Sequence, residues 1–313
     1  MRAQSGLRWR ELLFGRVVLI YQMPKIGSQT IEATLRQVSF PHTVLRFHYL
    51  SGAFAKTLRN GLASPQADPA WKPDARRQLE SLRTMSKVVL LRRWLCRCGW
   101  RGPKLEVITG VRELISLVLA SIFENYLYFA PDLESMTVEK CREALIHPKT
   151  FKALRDWFDL ELKPFLGIDV FKARFAREEG CALYENNFAR VLLYRYDALP
   201  RLPGLLGRFL GCEISGLVNS NVGESKPYGA QYRLVKEQLR LPADLVAALY
   251  DGRMMRHFYS DAERQTWQRR WTGPQSPLDK TGPFASGARH ASSPPEDKAG
   301  LKGWGSATPA LPS

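Results

Sequence analysis

The chain has 313 residues, of which 45% are hydrophobic and 11% aromatic, and its formal net charge is +16. This composition excludes an intrinsically disordered chain and supplies enough apolar side chains for a sizeable core. The strong positive charge favours anionic partners, namely phosphates, acidic polysaccharides, nucleic acids or an anionic membrane surface.

The chain is predicted to hold one domain between a short lead-in and a tail. Residues 1–16 precede the first apolar run, and residues 17–272 alternate apolar and charged segments without an internal linker. Residues 273–313 are rich in Gly, Pro, Ser and Ala and poor in large apolar residues. Because such a segment cannot offset the entropy of ordering, we expect a disordered tail.

Two strands and a helix are predicted first along the chain. Residues 17–22 (VVLIYQ) form a continuous apolar run, typical of a strand buried on both faces of a parallel sheet. Residues 28–38 repeat apolar side chains at helical spacing. Residues 43–50 (TVLRFHYL) indicate a second strand, which ends near His48.

The next stretch, 72–104, contains ten Lys or Arg and two acidic residues, a local net charge of +8. Apolar spacing predicts a long helix over 74–95, so we interpret the stretch as a basic helical insertion. Its basic face could simply be solvated. Alternatively it could recruit an acidic glycan or dock on an anionic membrane, and Trp94 and Trp100 suit either interface.

The second half of the chain adds further elements. Strands are predicted over 104–112 and 189–199. One helix is predicted over 113–129, and the segment 154–170 is predicted as a helix that runs into a glycine turn at Gly167. Further helices are predicted between Pro242 and Gly252, and from a capping box at Ser260–Glu263 toward Trp271. Recurring strand–loop–helix units predict a three-layer α/β fold with a doubly wound, mostly parallel sheet. In such a sheet, ligands bind at the carboxyl ends of the strands.

The loop after the first strand, residues 24–30 (PKIGSQT), lies at that edge. A helix start leaves four N–H groups unpaired, and the helix dipole adds roughly half a positive charge there. Gly27 lets the backbone approach an anion, while Ser28 and Thr30 can add hydroxyl donors. Lys25 supplies a cation. The combination predicts a phosphate or sulfate cradle.

Two other interpretations of this loop have less support. It is not G-x-x-x-x-G-K-[ST], because Lys25 precedes the single glycine, and no downstream carboxylate stands out as a magnesium anchor. An ATPase or GTPase is therefore disfavoured. In the other interpretation, Pro24 and Gly27 only shape a strand-to-helix turn, although turn chemistry alone does not require Lys, Ser and Thr together.

The loop resembles the 5′-phosphosulfate loop of sulfotransferases that use 3′-phosphoadenylyl sulfate (PAPS), Pro-Lys-x-Gly-[Ser/Thr]-x-[Ser/Thr]. Those enzymes bind the 3′-phosphate with an Arg after a later strand and a Ser eight residues further on. Arg112 follows the strand "LEVIT", but the expected Ser is Ala120. Ser121 lies beside it and Ser116 one turn back, and Leu114 replaces the Pro common after the Arg. The resemblance therefore implies a weakened or displaced 3′-phosphate contact.

From about residue 17 to residue 271, the chain also resembles bacterial capsular polysaccharide synthesis proteins, a sulfotransferase-like family named for an Asn-Lys-Trp-Tyr-Ser signature. The matching segments are "YQMPKIGSQTIEATL", "VITGVRE", "IFEN", "ELKPFLGIDVF", "NVGESKPYGAQY" and "MMRHFYSDAE". The signature reads "SKPYG" here. Lys226 and Tyr228 are kept, whereas Ser225, Pro227 and Gly229 depart from it.

These resemblances imply a PAPS-dependent sulfotransferase that modifies a hydroxyl of a carbohydrate acceptor, in capsular or other surface polysaccharide, without a metal. Lys25 and the N–H groups that follow it would stabilise the leaving 5′-phosphate. Lys226 and Tyr228 would cap the nucleotide, or else belong to a structural loop. The implied cofactor-binding residues are Pro24, Lys25, Gly27, Ser28, Gln29, Thr30, Arg112, Ser116, Ser121, Gly223, Lys226 and Tyr228.

Three residues compete for the role of base toward the acceptor hydroxyl. His48 ends the second strand and titrates near neutral pH, although a structural role is its alternative. Glu32 follows the loop by one helical turn, and its alternative is an i,i+4 pair with Arg36. Glu124 is the third candidate, or a group that orients the acceptor.

Two further classes of function stay open. Charge favours a nucleic-acid-binding protein, yet no helix-turn-helix, RNA-binding or zinc pattern is present: Cys96 and Cys98 form a lone C-x-C among five cysteines. Ala120 and the altered signature favour a catalytically inactive nucleotide- or glycan-binding relative. With no signal peptide and no run of roughly 18 apolar residues, we expect a cytoplasmic protein with reduced thiols, in peripheral contact with the inner membrane face, whose acceptor is acidic or lipid-linked.

Overall fold

The computed structural model describes the chain in seven stretches: 9–63, 71–99, 101–126, 129–130, 132–147, 150–218 and 226–273. The disordered tail predicted over 273–313 lies outside them from residue 274 onward, as do Trp100, Gly223 and Ser225. Within the seven stretches, no helix combines the length and the apolar character that crossing a bilayer requires. The five cysteines are free thiols.

A five-stranded sheet organises the described part of the chain. Its strands are β1 (Val17–Tyr21), β2 (Thr43–Phe47), β3 (Leu105–Val111), β4 (Cys181–Glu185) and β5 (Ala189–Arg195). The spatial order is β2-β1-β3-β5-β4, in which the first four strands are parallel and β4 pairs antiparallel with β5. The prediction of an α/β fold with a mostly parallel sheet is confirmed.

Helices connect and cover these strands. They are α1 (Trp9–Phe14), α2 (Ser28–Gln37), α3 (Gly52–Ala63), α4 (Trp71–Arg97), α5 (Leu114–Glu124), α6 (Val138–Ile146), α7 (Lys152–Arg155), α8 (Lys163–Leu166), α9 (Leu202–Leu210), α10 (Gly229–Gln238), α11 (Ala243–Tyr250), α12 (Arg253–Phe258) and α13 (Asp261–Thr272). A π-helical turn (Phe158–Leu162) precedes α8, and a 3₁₀ helix (Tyr196–Arg201) precedes α9.

The apolar runs form the central strands, as their composition predicts. Every residue of β1 and of β3 is buried, as is expected of the central strands of a parallel sheet. The capping box at Ser260 is present and starts α13. The Ser260 hydroxyl accepts from the Glu263 N–H group, and the Glu263 carboxylate accepts from the Ser260 N–H group. Pro242 is the residue directly before α11.

Three predicted elements were wrong in extent. The second strand ends at Phe47 rather than 50, because the Leu50 and Ser51 N–H groups bond a carboxylate instead of a neighbouring strand. The strand predicted over 189–199 ends at Arg195, where a 3₁₀ helix containing Pro200 begins. The helix predicted over 113–129 ends at Glu124.

Two further differences concern the region after α7. The single helix predicted within 154–170 is divided by the π-helical turn. The glycine turn predicted at its end is present, since α8 ends at Leu166 and Gly167 follows with a left-handed φ of 68°. The edge strand β4 was not predicted, because "CALYE" lacks a clear alternation of apolar and polar residues. In the structure only one of its five residues is fully buried.

The basic helix α4 is longer than predicted and is not solvated along its whole circumference. Its inner side buries Leu79, Leu82 and Met85. Arg92 is fully buried too, and its guanidinium donates to the main-chain oxygens of Leu12 (2.9 Å) and of Gly15 in the lead-in (2.8 Å). Burial lowers the pKa of Arg92 to about 10. This arginine therefore acts as a structural link rather than as part of the basic surface.

Candidate anion-binding site

The candidate site lies where the direction of strand addition reverses. Strand β2 follows β1 on one side, and β3 then pairs with β1 on the other side. The carboxyl ends of β1 and β3 are thus neighbours, and the loop 22–27 and Arg112 emerge there together. A crevice at such a reversal is the usual ligand site of an open α/β sheet.

The backbone of the loop after β1 has an unusual conformation. Lys25 has a φ of 64° and Gly27 one of 88°, so two residues are left-handed, and only one is a glycine. A left-handed non-glycine residue costs about 1–3 kcal/mol, and such residues cluster at binding sites. Two hydrogen bonds to main-chain oxygens hold the loop in this conformation. Arg112 Nη1 donates to the Lys25 oxygen (2.9 Å), and the Tyr194 hydroxyl donates to the Ile26 oxygen (2.5 Å).

The first turn of α2 is open to an anion. Gly27 precedes the helix and has no side chain to cap it. In the described part of the chain, no hydrogen bond uses the N–H groups of residues 28–30. Ser28 is buried, Thr30 is half-buried and Gln29 is exposed. Unpaired N–H groups and the helix dipole both favour negative charge at this end.

Two lysines and a tyrosine converge on one carboxylate oxygen beside the loop. Glu124 Oε2 lies 3.1 Å from Lys25 Nζ and 2.5 Å from Lys226 Nζ, and it accepts the Tyr228 hydroxyl at 2.7 Å. Glu124 ends α5, whereas Lys226 and Tyr228 directly precede α10. We call these four residues the Glu124 cluster. It brings together three segments that are distant in sequence.

Burial and hydrogen bonding shift the pKa values of two members of the cluster, Glu124 and Lys25. Burial alone would raise the pKa of Glu124, but hydrogen bonds from Lys226, Tyr228 and Lys25 outweigh it and lower this pKa to about 2. Burial lowers the pKa of Lys25; Glu124 opposes this, while Lys226 and Arg112 add repulsion. Glu124 is therefore the counter-ion of both lysines.

Arg112 lies at the loop, and the two serines predicted beside it differ in their hydrogen bonding. The guanidinium of Arg112 stacks on Tyr196, 4.2 Å from the ring centroid. Ser121 donates its hydroxyl to the Leu117 oxygen at 3.0 Å. Ser116 is half-buried, and its hydroxyl has no hydrogen-bond partner in the described part of the chain.

His48 is held in one tautomer at the end of β2. Its Nδ1 lies 2.8 Å from the Gln22 oxygen, and a carbonyl oxygen only accepts, so Nδ1 carries the proton and Nε2 is free to accept one. Burial lowers the pKa of His48, and the charges of Arg46 and Lys25 add to this effect. The imidazole is therefore neutral at neutral pH.

Glu32 is engaged elsewhere. Its two oxygens lie 2.6 Å from Arg36 and 2.6 Å from Arg46, so the i,i+4 pair is present with a second guanidinium beside it. These contacts are outside the Glu124 cluster. Both carboxylate oxygens of Glu32 are therefore occupied by arginines, away from the Glu124 cluster.

Sequence reasoning missed the buried polar groups that support the site. Gln22 is fully buried; its Oε1 lies 3.1 Å from the Tyr194 hydroxyl oxygen, and its Nε2 has no partner in the described residues. Glu161 Oε2 accepts from the Tyr21 hydroxyl (2.9 Å) and from the Leu50 and Ser51 N–H groups, which follow β2. A glutamine right after an apolar run, and a carboxylate within "FDLEL", are the signals that the sequence contained.

Comparison with known proteins adds one finding. The model of the family NKWYS, described as "Putative capsular polysaccharide synthesis protein", matches residues 135–260. No curated protein and no solved structure matches the chain. The matched stretch includes Glu161, Lys226 and Tyr228 but neither the loop at Lys25 nor Arg112. This part of the chain is therefore similar to capsular polysaccharide synthesis proteins, and the similarity points to a role in polysaccharide biosynthesis.

Proposed function

We propose that the chain transfers the sulfuryl group of PAPS to a hydroxyl of a carbohydrate acceptor during the synthesis of surface polysaccharide. The observation that carries this proposal is the convergence of Lys25, Lys226 and Arg112 beside an uncapped helix start, at the reversal point of a parallel sheet. The similarity of residues 135–260 to capsular polysaccharide synthesis proteins supports a carbohydrate acceptor.

The donor set at this edge suits a ligand with two separate anionic groups. Lys25 and the N–H groups of residues 28–30 would hold the 5′-phosphosulfate, and Arg112 with Ser116 would hold the 3′-phosphate. When bound, PAPS supplies the sulfuryl group. The task of the protein is to balance the charge that develops on the departing phosphate, and donors fixed before the reaction do this best. Lys226 and Tyr228 would close over the nucleotide.

His48 is the best base among the three candidates. Its Nε2 can take the proton of the acceptor hydroxyl, because Nδ1–H is bound to the Gln22 oxygen and the ring is neutral. Glu124, with a pKa of about 2, holds protons too weakly for this role. We therefore assign Glu124 the role of an internal counter-ion, which keeps the two lysines in place until an anion replaces it.

A second candidate function is nucleotide or glycan binding without catalysis. It is favoured by the same Glu124 cluster, since a carboxylate on Lys25 Nζ neutralises the charge that a leaving phosphate needs. The Ala120 departure supports this candidate as well. The two candidates share the binding site and differ only in turnover.

Calorimetric titration with adenosine 3′,5′-bisphosphate, followed by an assay with labelled PAPS and polysaccharide acceptors, tests both candidates. Binding with turnover supports the sulfotransferase, and binding without turnover supports the inactive relative. Adenosine 5′-monophosphate, which lacks the 3′-phosphate that Arg112 would hold, is expected to bind about tenfold more weakly or worse. Salt-dependent DNA binding without nucleotide binding would overturn both in favour of a nucleic-acid-binding protein.

In the same titration, Glu124→Gln should bind the bisphosphate about tenfold more tightly, which corresponds to about 1.4 kcal/mol. The reason is that the substitution removes the carboxylate that competes for Lys25 and Lys226. Glu179→Gln is the matched control, because Glu179 is exposed and outside the cluster. Unchanged or weaker binding by Glu124→Gln would show that this residue shapes the site rather than competing for it.

The pH dependence of the reaction tests His48. Because burial lowers its pKa, the wild-type rate should fall only below pH 6.5, where Nε2 becomes protonated. His48→Asn keeps a donor for the Gln22 oxygen but removes the base. We expect this variant to lose that acidic limb and about a hundredfold in rate. His42→Asn is the control, and an unchanged pH profile in His48→Asn would assign the base elsewhere.

A further inference from the structure

One face of α4 points away from the core and is apolar near the C-terminal end of the helix. Leu90 is 65% exposed, Leu91 37% and Trp94 59%. Residues three and four apart lie side by side on a helix, so these three side chains form a continuous patch. Single exposed leucines are common on protein surfaces, whereas a patch of neighbouring Leu and Trp marks an interaction site.

Basic side chains border this patch at both ends. Lys87 and Arg97 lie about one turn from Leu90 and Trp94 on the same side of the helix, and both are exposed. Arg83 continues the row toward the start of α4. Residues 81–105 contain no acidic side chain. The patch is therefore surrounded by positive charge that has no local counter-ion from this segment.

The opposite face anchors the helix to the protein. Met85 and Val89 are buried there, and Arg92 is bound to main-chain oxygens of the lead-in. Packing of the core accordingly explains one side of α4 and leaves the exposed side unexplained. With 27 residues the helix is about 40 Å long, and it presents its outer face as one extended surface.

We infer that the outer face of α4 docks on an anionic lipid surface. Leu90, Leu91 and Trp94 enter the boundary between headgroups and acyl chains, while Lys87 and Arg97 bind the phosphate headgroups. A bilayer offers negative charge and an apolar layer within a few ångströms of each other, and this face offers the complement of both. A soluble polyanion would match the cations but would leave the Leu and Trp side chains without a partner.

Co-sedimentation of the full chain with vesicles tests this inference. Binding is expected with phosphatidylglycerol in phosphatidylcholine and not with phosphatidylcholine alone. Two double variants, Leu90→Gln/Trp94→Gln and Lys87→Gln/Arg97→Gln, should each bind about tenfold more weakly. All four side chains are exposed, so the melting temperature should stay close to that of the wild type.

Matched controls remove the same chemistry from other surfaces. Leu183→Gln/Leu234→Gln replaces two exposed leucines, and Lys172→Gln/Arg174→Gln removes two exposed charges. If the α4 variants bind vesicles as tightly as these controls, the inference is overturned.

Two other results would assign the face to a different partner and thereby also overturn the inference. If heparin binding is lost in the charge variant but kept in the Leu90/Trp94 variant, without vesicle binding, the partner is an acidic glycan. If light scattering shows a dimer that the Leu90/Trp94 variant abolishes, the partner is a second copy of the chain.

Discussion

Replacing Lys25 with alanine is expected to lower sulfuryl transfer about a thousandfold. The ammonium group belongs to the loop that leads into the uncapped start of α2. After its removal, the charge on the leaving phosphate would lose the cation that the proposed function places beside the N–H groups of residues 28–30. The measurement is an initial-rate assay with labelled PAPS, at donor concentrations that saturate the variant. The loss should appear in kcat, because the charge is greatest in the transition state.

The same substitution should leave the fold nearly unchanged. Glu124 keeps Lys226 and Tyr228 as donors when Lys25 is absent, and a partly exposed ion pair contributes about 1 kcal/mol or less. Lys172→Ala removes an exposed lysine outside the site and serves as the control. If Lys25→Ala kept full activity, the loop after β1 would have no part in the chemistry, and the proposed function would lose its main support.

The sequence alone predicted those parts of the site that depend on local pattern. An all-apolar run followed by Pro-Lys-x-Gly-Ser is sufficient to predict β1, α2 and the loop between them, because both periodicities and the helix start are local properties. Arg112 could also be placed, since it follows the third strand and parallel strands end at the same edge of a sheet. The sequence also predicted a helix start with unpaired N–H groups after the loop, and the N–H groups of residues 28–30 have no partner in the described part of the chain.

The remainder of the site depends on how distant segments pack. Glu124 and Lys226 are 102 positions apart, and their contact results from the approach of α5 to the segment before α10. Nothing in the local pattern around Glu124 predicts that its carboxylate faces Lys25. The i,i+4 alternative for Glu32 needed only helix geometry, and that pair is present in the structure.

The supporting layer of the site was harder still to predict, because it consists of buried polar groups in apolar segments. Glu161 lies in a π-helical turn, and such turns often accompany functional sites. From the sequence, "FDLELKPFL" is predicted as part of one continuous helix, without a role for its carboxylates. The structure instead buries the Glu161 carboxylate against the end of β2, where it ends the strand earlier than its apolar pattern predicts.

Glu161→Ala is expected to lower the free energy of unfolding by about 4 kcal/mol, because it leaves the Leu50 and Ser51 N–H groups and the Tyr21 hydroxyl buried without an acceptor. Glu161→Gln retains one oxygen that can accept these bonds without the charge, so its loss should be about 1–2 kcal/mol. Urea denaturation of both variants measures the difference. For Glu161→Ala we expect a melting temperature roughly 10 °C lower.

Glu179→Ala, at an exposed glutamate, controls for the loss of a carboxylate, and it should melt like the wild type. An equal loss of stability in Glu161→Ala and Glu161→Gln would contradict the account, since hydrogen bonding predicts a graded series. Leu50 and Ser51, whose N–H groups Glu161 binds, lie two and three residues after His48. Trp157 also donates to the His48 oxygen at 2.9 Å. Glu161→Gln should therefore retain the acidic limb of the rate below pH 6.5, because it keeps His48 in place, whereas Glu161→Ala should lose activity at temperatures where it is still folded.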